Sequence, residues 1–241
     1  MIPWLDADGS FPDVAKALAA PNGLLCAGGD LSPKRLVDAY RRGIFPWYSA
    51  GDPILWWSPN PRMVLFPDEL KISRSLHRAV ARGTYETRVD TAFRAVIEAC
   101  AAPREGHSGT WIVPEMVAAY TRLHELGFAH SVESWTDDRL VGGLYGIALG
   151  QVFFGESMFT REPDASKVAL VALVERLRAR GCRVIDCQQA TPHLASLGAR
   201  EISRKAFAQL LEESIQYPLS GEHWTLDQGT RGRAPDRGAR G

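Results

Sequence analysis

The chain has 241 residues, 45% of them hydrophobic, with 28 basic and 28 acidic side chains that cancel to a net charge of zero. That length suits one large or two modest domains with a real core, while neutrality leaves only a local patch, not the protein's overall field, to hold any polyanion. No apolar run is long enough to span a bilayer, Met1-Ile2-Pro3-Trp4 shows no leader pattern, and four cysteines and six histidines form neither Cys-x-x-Cys nor His-Glu-x-x-His, so a cytoplasmic protein without metal is expected.

Residues 1–62 form the first unit, a small N-terminal domain in which Trp4, Trp47, Trp56 and Trp57 lie among turn-rich Pro and Gly. Pro21-Asn22-Gly23 reads as a turn, and so does Gly28-Gly29, which lacks the Lys-Ser/Thr of a phosphate loop and the third Gly of a dinucleotide fingerprint. Ser32 then caps a helix with Pro33 at its first position. The helix runs from Lys34 to Arg42, buries Leu36, Val37 and Tyr40, and stops at Gly43. The aromatic runs Ile44–Tyr48 and Ile54–Pro59 supply core, or else leave one ring exposed as a platform for a nucleobase.

Residues 63–228 form the second unit. From Ser73 the pattern is helical, with Ile72, Leu76 and Val80 on one face and Arg74, Arg78 and Arg82 about 200° away. Lys71 extends this row and no acid interrupts it, so it is either a solvated face or a phosphate-tracking surface. A strand over Thr84–Asp90 precedes a helix marked by Phe93, Val96, Ile97 and Cys100, and Pro114 opens another that Gly127 closes. Three strands follow as a meander: 129–135, 140–149 and 151–157. A helix over 166–180 leads into the strand Val184-Ile185-Asp186-Cys187-Gln188, and an amphipathic helix runs from Ser203 to about Ile215. This order is that of the acetyltransferase-like (GNAT) α/β architecture, a mixed sheet flanked by helices. Residues 229–241, rich in Arg and Gly, are expected to be a disordered basic tail.

An Asp at the end of an interior strand is costly to bury unless something pairs with it. Asp186 either caps the short helix that Pro192 starts or does chemistry. Residues two apart on a strand point the same way, which predicts Asp186 and Gln188 facing one cavity, with Cys187 in the packing behind.

Several segments together resemble the bacterial leucyl/phenylalanyl-tRNA protein transferases. They are Pro21–Leu25, Gly28–Pro33, Arg42–Trp47, Asp52–Pro59, Gly109–Ile112, Gly155–Phe159, Ile185–Gln188 and Ala195–Gly198, spread over residues 20 to 215. The resemblance implies an enzyme that takes Leu or Phe, and less readily Met, from Leu-tRNA or Phe-tRNA and joins it to the N-terminal amine of proteins beginning with Arg or Lys. That modification marks them for degradation, and no cofactor is needed. It implies that Trp47 and Trp111 hold the 3′ adenosine, that Met158 and Ile185 line the aminoacyl pocket, and that Asp186 and Gln188 act on the amine. Lys71, Arg74, Arg78 and Arg82 would meet the tRNA acceptor stem. Glu156 would lie near the same site, either reading the acceptor's basic side chain or forming a structural ion pair with Arg161. A monomer is expected.

The rivals are a coenzyme A-dependent N-acetyltransferase and a non-catalytic tRNA-binding protein. The first would need a Gly-rich pyrophosphate loop before the helix that follows the meander; that segment, Phe159–Ser166, has no glycine and two acids. The second leaves Asp186 and Gln188 unexplained.

Overall fold

The computed structural model describes residues 2–6, 8–103, 111–216, 221, 222 and 224 of the 241. Gly109, Thr110, most of the loop before Trp111, and the tail 229–241 lie outside them.

Near the N-terminus the aromatic segments form strands too short to leave a periodic signal. β1 (Trp4–Leu5), β2 (Leu24–Gly28), β3 (Phe45–Pro46) and β4 (Leu55–Trp57) make a four-stranded sheet in the order β1-β2-β4-β3. Pro46, which has no N–H to donate, sits on an edge strand, where a missing ladder bond is tolerated. Trp56 is fully buried, and its indole finds the partner a buried N–H needs by donating to the Gly28 carbonyl at 2.9 Å. Between β2 and β3 runs α1 (Pro33–Arg41). The Ser32 hydroxyl accepts from the Arg35 N–H, Pro33 opens the first turn, and Gly43, at φ 72°, ends it. Leu36, Ala39 and Tyr40 are fully buried, but Val37 is only half-buried.

The second sheet is built from β5 (Arg62–Leu65), β6 (Glu86–Val89), β7 (Ala129–Thr136), β8 (Arg139–Leu149), β9 (Val152–Thr160), β10 (Val184–Gln188) and β11 (Arg200–Ile202). Its order is β11-β5-β10-β9-β8-β7-β6, antiparallel throughout except for the parallel pair β9–β10. Helices α2 (Arg74–Ala81), α3 (Phe93–Ala101), α4 (Pro114–Glu125), α5 (Ala165–Ala179), α6 (Pro192–Ser196) and α7 (Arg204–Ser214) complete it. This is the mixed sheet flanked by helices anticipated from the element order, with β5 and β11 added at one edge.

Each face of the sheet has its own packing. Val96, Ile97, Met116 and Tyr120 from α3 and α4 join Tyr40, Trp56 and Phe154 in one cluster, so the small sheet shares a core with the large one. Leu170, Leu173 and Val174 from α5 pack on Leu144, Phe153 and Ile185 on the other face. In α2 the Ser73 hydroxyl caps at the Leu76 N–H. The helix therefore begins after Ile72, which is 37% exposed, and not part of the buried stripe. No helix among the described residues is long and apolar enough to cross a membrane.

Candidate active site

The parallel strands β9 and β10 each carry an irregularity, midway along β9 and near the C-terminal end of β10, and both matter for the site. Tyr145 pairs with Ser157 but Gly146 pairs with Gly155, so Glu156 is the extra residue of a bulge in β9. A bulge re-aims side chains. Phe154 and Phe159 face the α3–α4 side while Phe153 and Met158 face α5, a parity that only an inserted residue allows. In β10 Asp186 pairs with Val64 and Gln188 with Met63, leaving Cys187 as the extra residue. Gln188 takes the left-handed φ of 63°, uncommon for a residue with a side chain and worth a functional explanation.

Beside these two bulges lies a cavity of about 310 Å³. Leu144, Leu170, Leu173, Met158 and Ile185 give it apolar walls, and Trp111, Glu156 and Gln188 also line it. The size fits one amino-acid side chain plus its ester and falls at the small end of ligand sites. A larger hollow of about 520 Å³ beside His130 and Trp224 holds none of the motif residues.

One expectation is corrected. Asp186 does not share the cavity with Gln188; Ile185 and Cys187 line it instead. The alternation argument failed because the bulge falls between Asp186 and Gln188. Asp186 is fully buried, and both its oxygens accept from Arg62, Nε to Oδ1 at 2.8 Å and Nη2 to Oδ2 at 2.7 Å. Arg62 also donates to the Gly43 carbonyl at 3.1 Å and lies 4.8 Å from the ring centres of Phe45 and Phe207. Asp186 reaches the site through the backbone: Oδ1 accepts the Gln188 N–H at 2.9 Å. Nor is it a helix cap, since Thr191 caps α6.

Glu156 has no ion pair with Arg161, whose guanidinium donates to the Leu140 carbonyl. Its Oε1 accepts from the Tyr40 hydroxyl at 2.8 Å and from Gln188 Nε2 at 2.8 Å, and its Oε2 from the Tyr120 hydroxyl at 3.1 Å. Burial raises the carboxyl to about 7 and the neighbouring Asp186 adds to this, against the three hydrogen bonds, which lower it. Because Gln188 Nε2 is committed to a carboxylate, the amide oxygen is left as the acceptor at the cavity. Burial pushes the Cys187 thiol up to about 12, which argues against a thiolate nucleophile.

Trp111 lines the cavity. Trp47 does not; it is 38% exposed, its ring tilted against Trp57 at 5.4 Å, and its carbonyl accepts from the Trp57 indole at 2.7 Å. The adjoining Tyr48 feels the charge of Glu115 on α4 and is raised by burial first, so this segment borders the helix that Trp111 leads into. Lys71, Arg74, Arg78 and Arg82 are exposed, and among the described residues none makes an ion pair. The Lys71 N–H donates to the Leu197 carbonyl at the end of α6, while Leu194 within α6 lines the cavity, so the basic row starts close to its rim. Tyr40, Tyr120 and Arg62 were not foreseen as site residues. A tyrosine on a helix's buried stripe is the signal available for the first two, because its hydroxyl needs a polar partner.

The N-terminus of α5, where an acetyltransferase would receive a pyrophosphate, packs tightly on β8 and carries an acid. A Cβ on Gly142 would stand 2.6 Å from that of Ala165, and Asp164 is engaged by Lys167 at 2.7 Å. Among the described residues no group of His, Cys, Asp or Glu is placed to hold a metal. A mixed sheet flanked by helices, with an apolar cavity and an amide–carboxylate pair at its wall, fits an acyl transferase.

The model of the leucyl/phenylalanyl-tRNA protein transferase family matches residues 64–212, and that of the family's N-terminal domain matches 29–60. The chain is 61% identical to the leucyl/phenylalanyl-tRNA–protein transferase of Nitrosospira multiformis over 94% of this chain and 98% of that one. It is 59% identical to that of Chromobacterium violaceum, over 93% and 96%. Among solved structures it is similar to L-PGS from Bacillus licheniformis, with a TM-score of 0.40, 13% identity, and 69% of this chain and 55% of that one covered. The chain belongs to the leucyl/phenylalanyl-tRNA protein transferase family and is an aminoacyltransferase.

Proposed function

We propose that the protein transfers Leu or Phe, and less readily Met, from aminoacyl-tRNA to the α-amine of proteins that begin with Arg or Lys, giving them an N-terminus that destines them for degradation. The observation that carries this reading is the Gln188 amide, tied to Glu156 at 2.8 Å beside an apolar cavity. The donor is an activated ester. The acceptor is an amine with a pKa near 7.7–8.0, so roughly a tenth of it is neutral at pH 7 and deprotonation costs only about 1 kcal/mol. Holding amine and ester in line contributes about 7–11 kcal/mol, so positioning outweighs base strength and no acyl-enzyme is needed.

In this reading the Gln188 amide oxygen accepts a hydrogen bond from the attacking amine. Asp186, braced by Arg62, is a positioning residue that fixes the Gln188 backbone by accepting its N–H. Met158 and Ile185 line the aminoacyl pocket, which separates side chains by only about 1–3 kcal/mol and so accepts both Leu and Phe. Trp47 and Trp111 hold the 3′ adenosine, Glu156 meets the acceptor's α-amine, and Lys71, Arg74, Arg78 and Arg82 contact acceptor-stem phosphates. The enzyme works as a cytoplasmic monomer, with residues 1–62 as a small domain before the catalytic one.

The test offers radiolabelled Leu-tRNA, or acetyl-coenzyme A, with an Arg-initiated protein. Label enters the protein from the tRNA alone, and Gln188→Ala lowers turnover by about 10²-fold or more. Incorporation from acetyl-coenzyme A, or near-normal turnover by Asp186→Asn, would sink the reading.

A further inference from the structure

Three buried hydroxyl and carboxyl groups form a closed triangle behind the cavity wall. Tyr40 and Tyr120 are fully buried. Their hydroxyls touch Glu156 Oε1 and Oε2 at 2.8 and 3.1 Å and also hydrogen-bond each other. Three such contacts need three protons, and two phenols bring two. With Glu156 ionised, one side of the triangle has no proton. With Glu156 protonated all three are satisfied in a ring: Oε2–H to Tyr120, Tyr120 to Tyr40, and Tyr40 to Oε1. The arrangement has room for one added proton, at a group that lines the same cavity as Gln188.

The surroundings support this. Glu156 faces Tyr40 from α1, Tyr120 from α4, Tyr145 from β8, and Gln188 and Asp186 from β10. None of these neighbours is a cation, and Arg62 is spent on Asp186 through both of its oxygens. Oε1 already accepts two hydrogen bonds and Oε2 one, so a single lone-pair direction remains on Oε2. That suits one N–H and not the two-pronged fork of an arginine.

We propose that Glu156 takes up the proton shed by the attacking amine, and that Tyr40 and Tyr120 are positioning residues that tune its readiness to do so. The inference rests on the transferase reading above. As nitrogen bonds to the ester carbonyl carbon, it becomes positively charged and its proton passes to Glu156. The carbon–oxygen bond to the ribose then breaks, the electron pair leaves on the ribose oxygen, and that oxygen takes a proton from water. Glu156 returns its proton to solvent before the next turnover. Its carboxyl, raised to about 7, is well placed for exchange near neutrality.

The experiment measures kcat against pH at saturating Leu-tRNA and Arg-initiated peptide, where the profile reports groups in the complex and not the free amine. The unaltered enzyme shows a low-pH limb near 7 that stays in place when the peptide's amine is made less basic. Glu156→Gln abolishes the limb and lowers the plateau by about 10²-fold or more. Tyr40→Phe and Tyr120→Phe each break the ring and move the limb by about one pH unit. A lesion of structure alone lowers the plateau without moving the limb. A limb at one pH in the unaltered enzyme and in both phenylalanine variants overturns the proposal while leaving the transferase reading intact. Absence of Leu transfer by the unaltered enzyme overturns both.

Discussion

Two carboxylates sit close together in this core and are treated in opposite ways. Asp186 receives a full counter-charge, two hydrogen bonds from Arg62 and a third from the Gln188 backbone, and has no face on the cavity. Glu156 is given only neutral partners, two phenols and an amide, and keeps a side open to the cavity. A buried charge matched by a cation in fixed geometry is an anchor, since removing either partner strands the other. One held by neutral donors in a desolvated place stays adjustable, and its proton can come and go near neutral pH. The position of each on its strand, in the regular part of β10 and on the bulge of β9, sets which treatment it receives.

The largest effect is expected from breaking the anchor. Arg62→Met leaves Asp186 buried without a counter-charge, a loss of about 3–5 kcal/mol to be read in urea denaturation. Replacing both partners, Arg62→Met with Asp186→Leu, restores most of that stability because no charge is left stranded. Transfer activity stays low in the double variant, since the acceptor that holds the Gln188 N–H is gone. Full activity there would erase the distinction between the two carboxylates.

Next comes the adjustable member. The folded protein favours the protonated form of Glu156, raising it from 4.5 to about 7. The stability this contributes is fully present below about pH 4.5 and is lost as pH rises through 7. At about 1.4 kcal/mol per unit the loss is about 3 kcal/mol. Glu156→Gln should remove that slope, so urea midpoints of the two proteins converge at low pH and separate above 7, the variant being the more resistant. Parallel curves would mean that Glu156 is as well compensated as Asp186.

The cavity wall should respond less. Met158→Ala gives the donor side chain more room, and kcat/KM for Phe-tRNA over Leu-tRNA is expected to rise by about tenfold, within the 1–3 kcal/mol that apolar pockets command. An unchanged ratio would place the aminoacyl side chain elsewhere.

How much of this was legible in advance follows from the range of the interactions. Ser32-Pro33 before α1 and the alternating runs of the meander are local signals, and they predicted elements to within a residue or so, except that the third run stopped three residues short of Thr160, beyond the bulge. The motif residues Gln188, Glu156, Met158, Ile185 and Trp111 do gather at one cavity. The bulges at Glu156 and Cys187 left no mark on the sequence, because one inserted residue is a property of strand pairing and not of composition. A count by twos along β10 therefore put Asp186 on the wrong side. Arg62 and Asp186 are 124 positions apart, and Tyr40 and Tyr120 come from two helices 80 positions apart. Such partners become visible only when the sheet has brought them together. The N-terminal strands escaped for a different reason: at two to five residues each they are shorter than the window over which alternation can be counted.

The smallest effect on the folded protein, and the sharpest contrast with the anchored pair, is expected on the surface. Arg78 is exposed and makes no ion pair among the described residues, so its removal should change stability by no more than about 0.5 kcal/mol. If it meets an acceptor-stem phosphate, Arg78→Ala weakens Leu-tRNA binding and lowers the slope of log affinity against log salt by about 0.7–0.9, the share of one neutralised phosphate. The kcat at saturating tRNA should be unchanged, because the contact is made equally in ground state and transition state. A variant with the original salt slope would mean that Arg78 meets no phosphate. A lowered kcat would mean that the row of arginines does more than bind, so that charge on the surface, like that on Glu156, is coupled to the reaction.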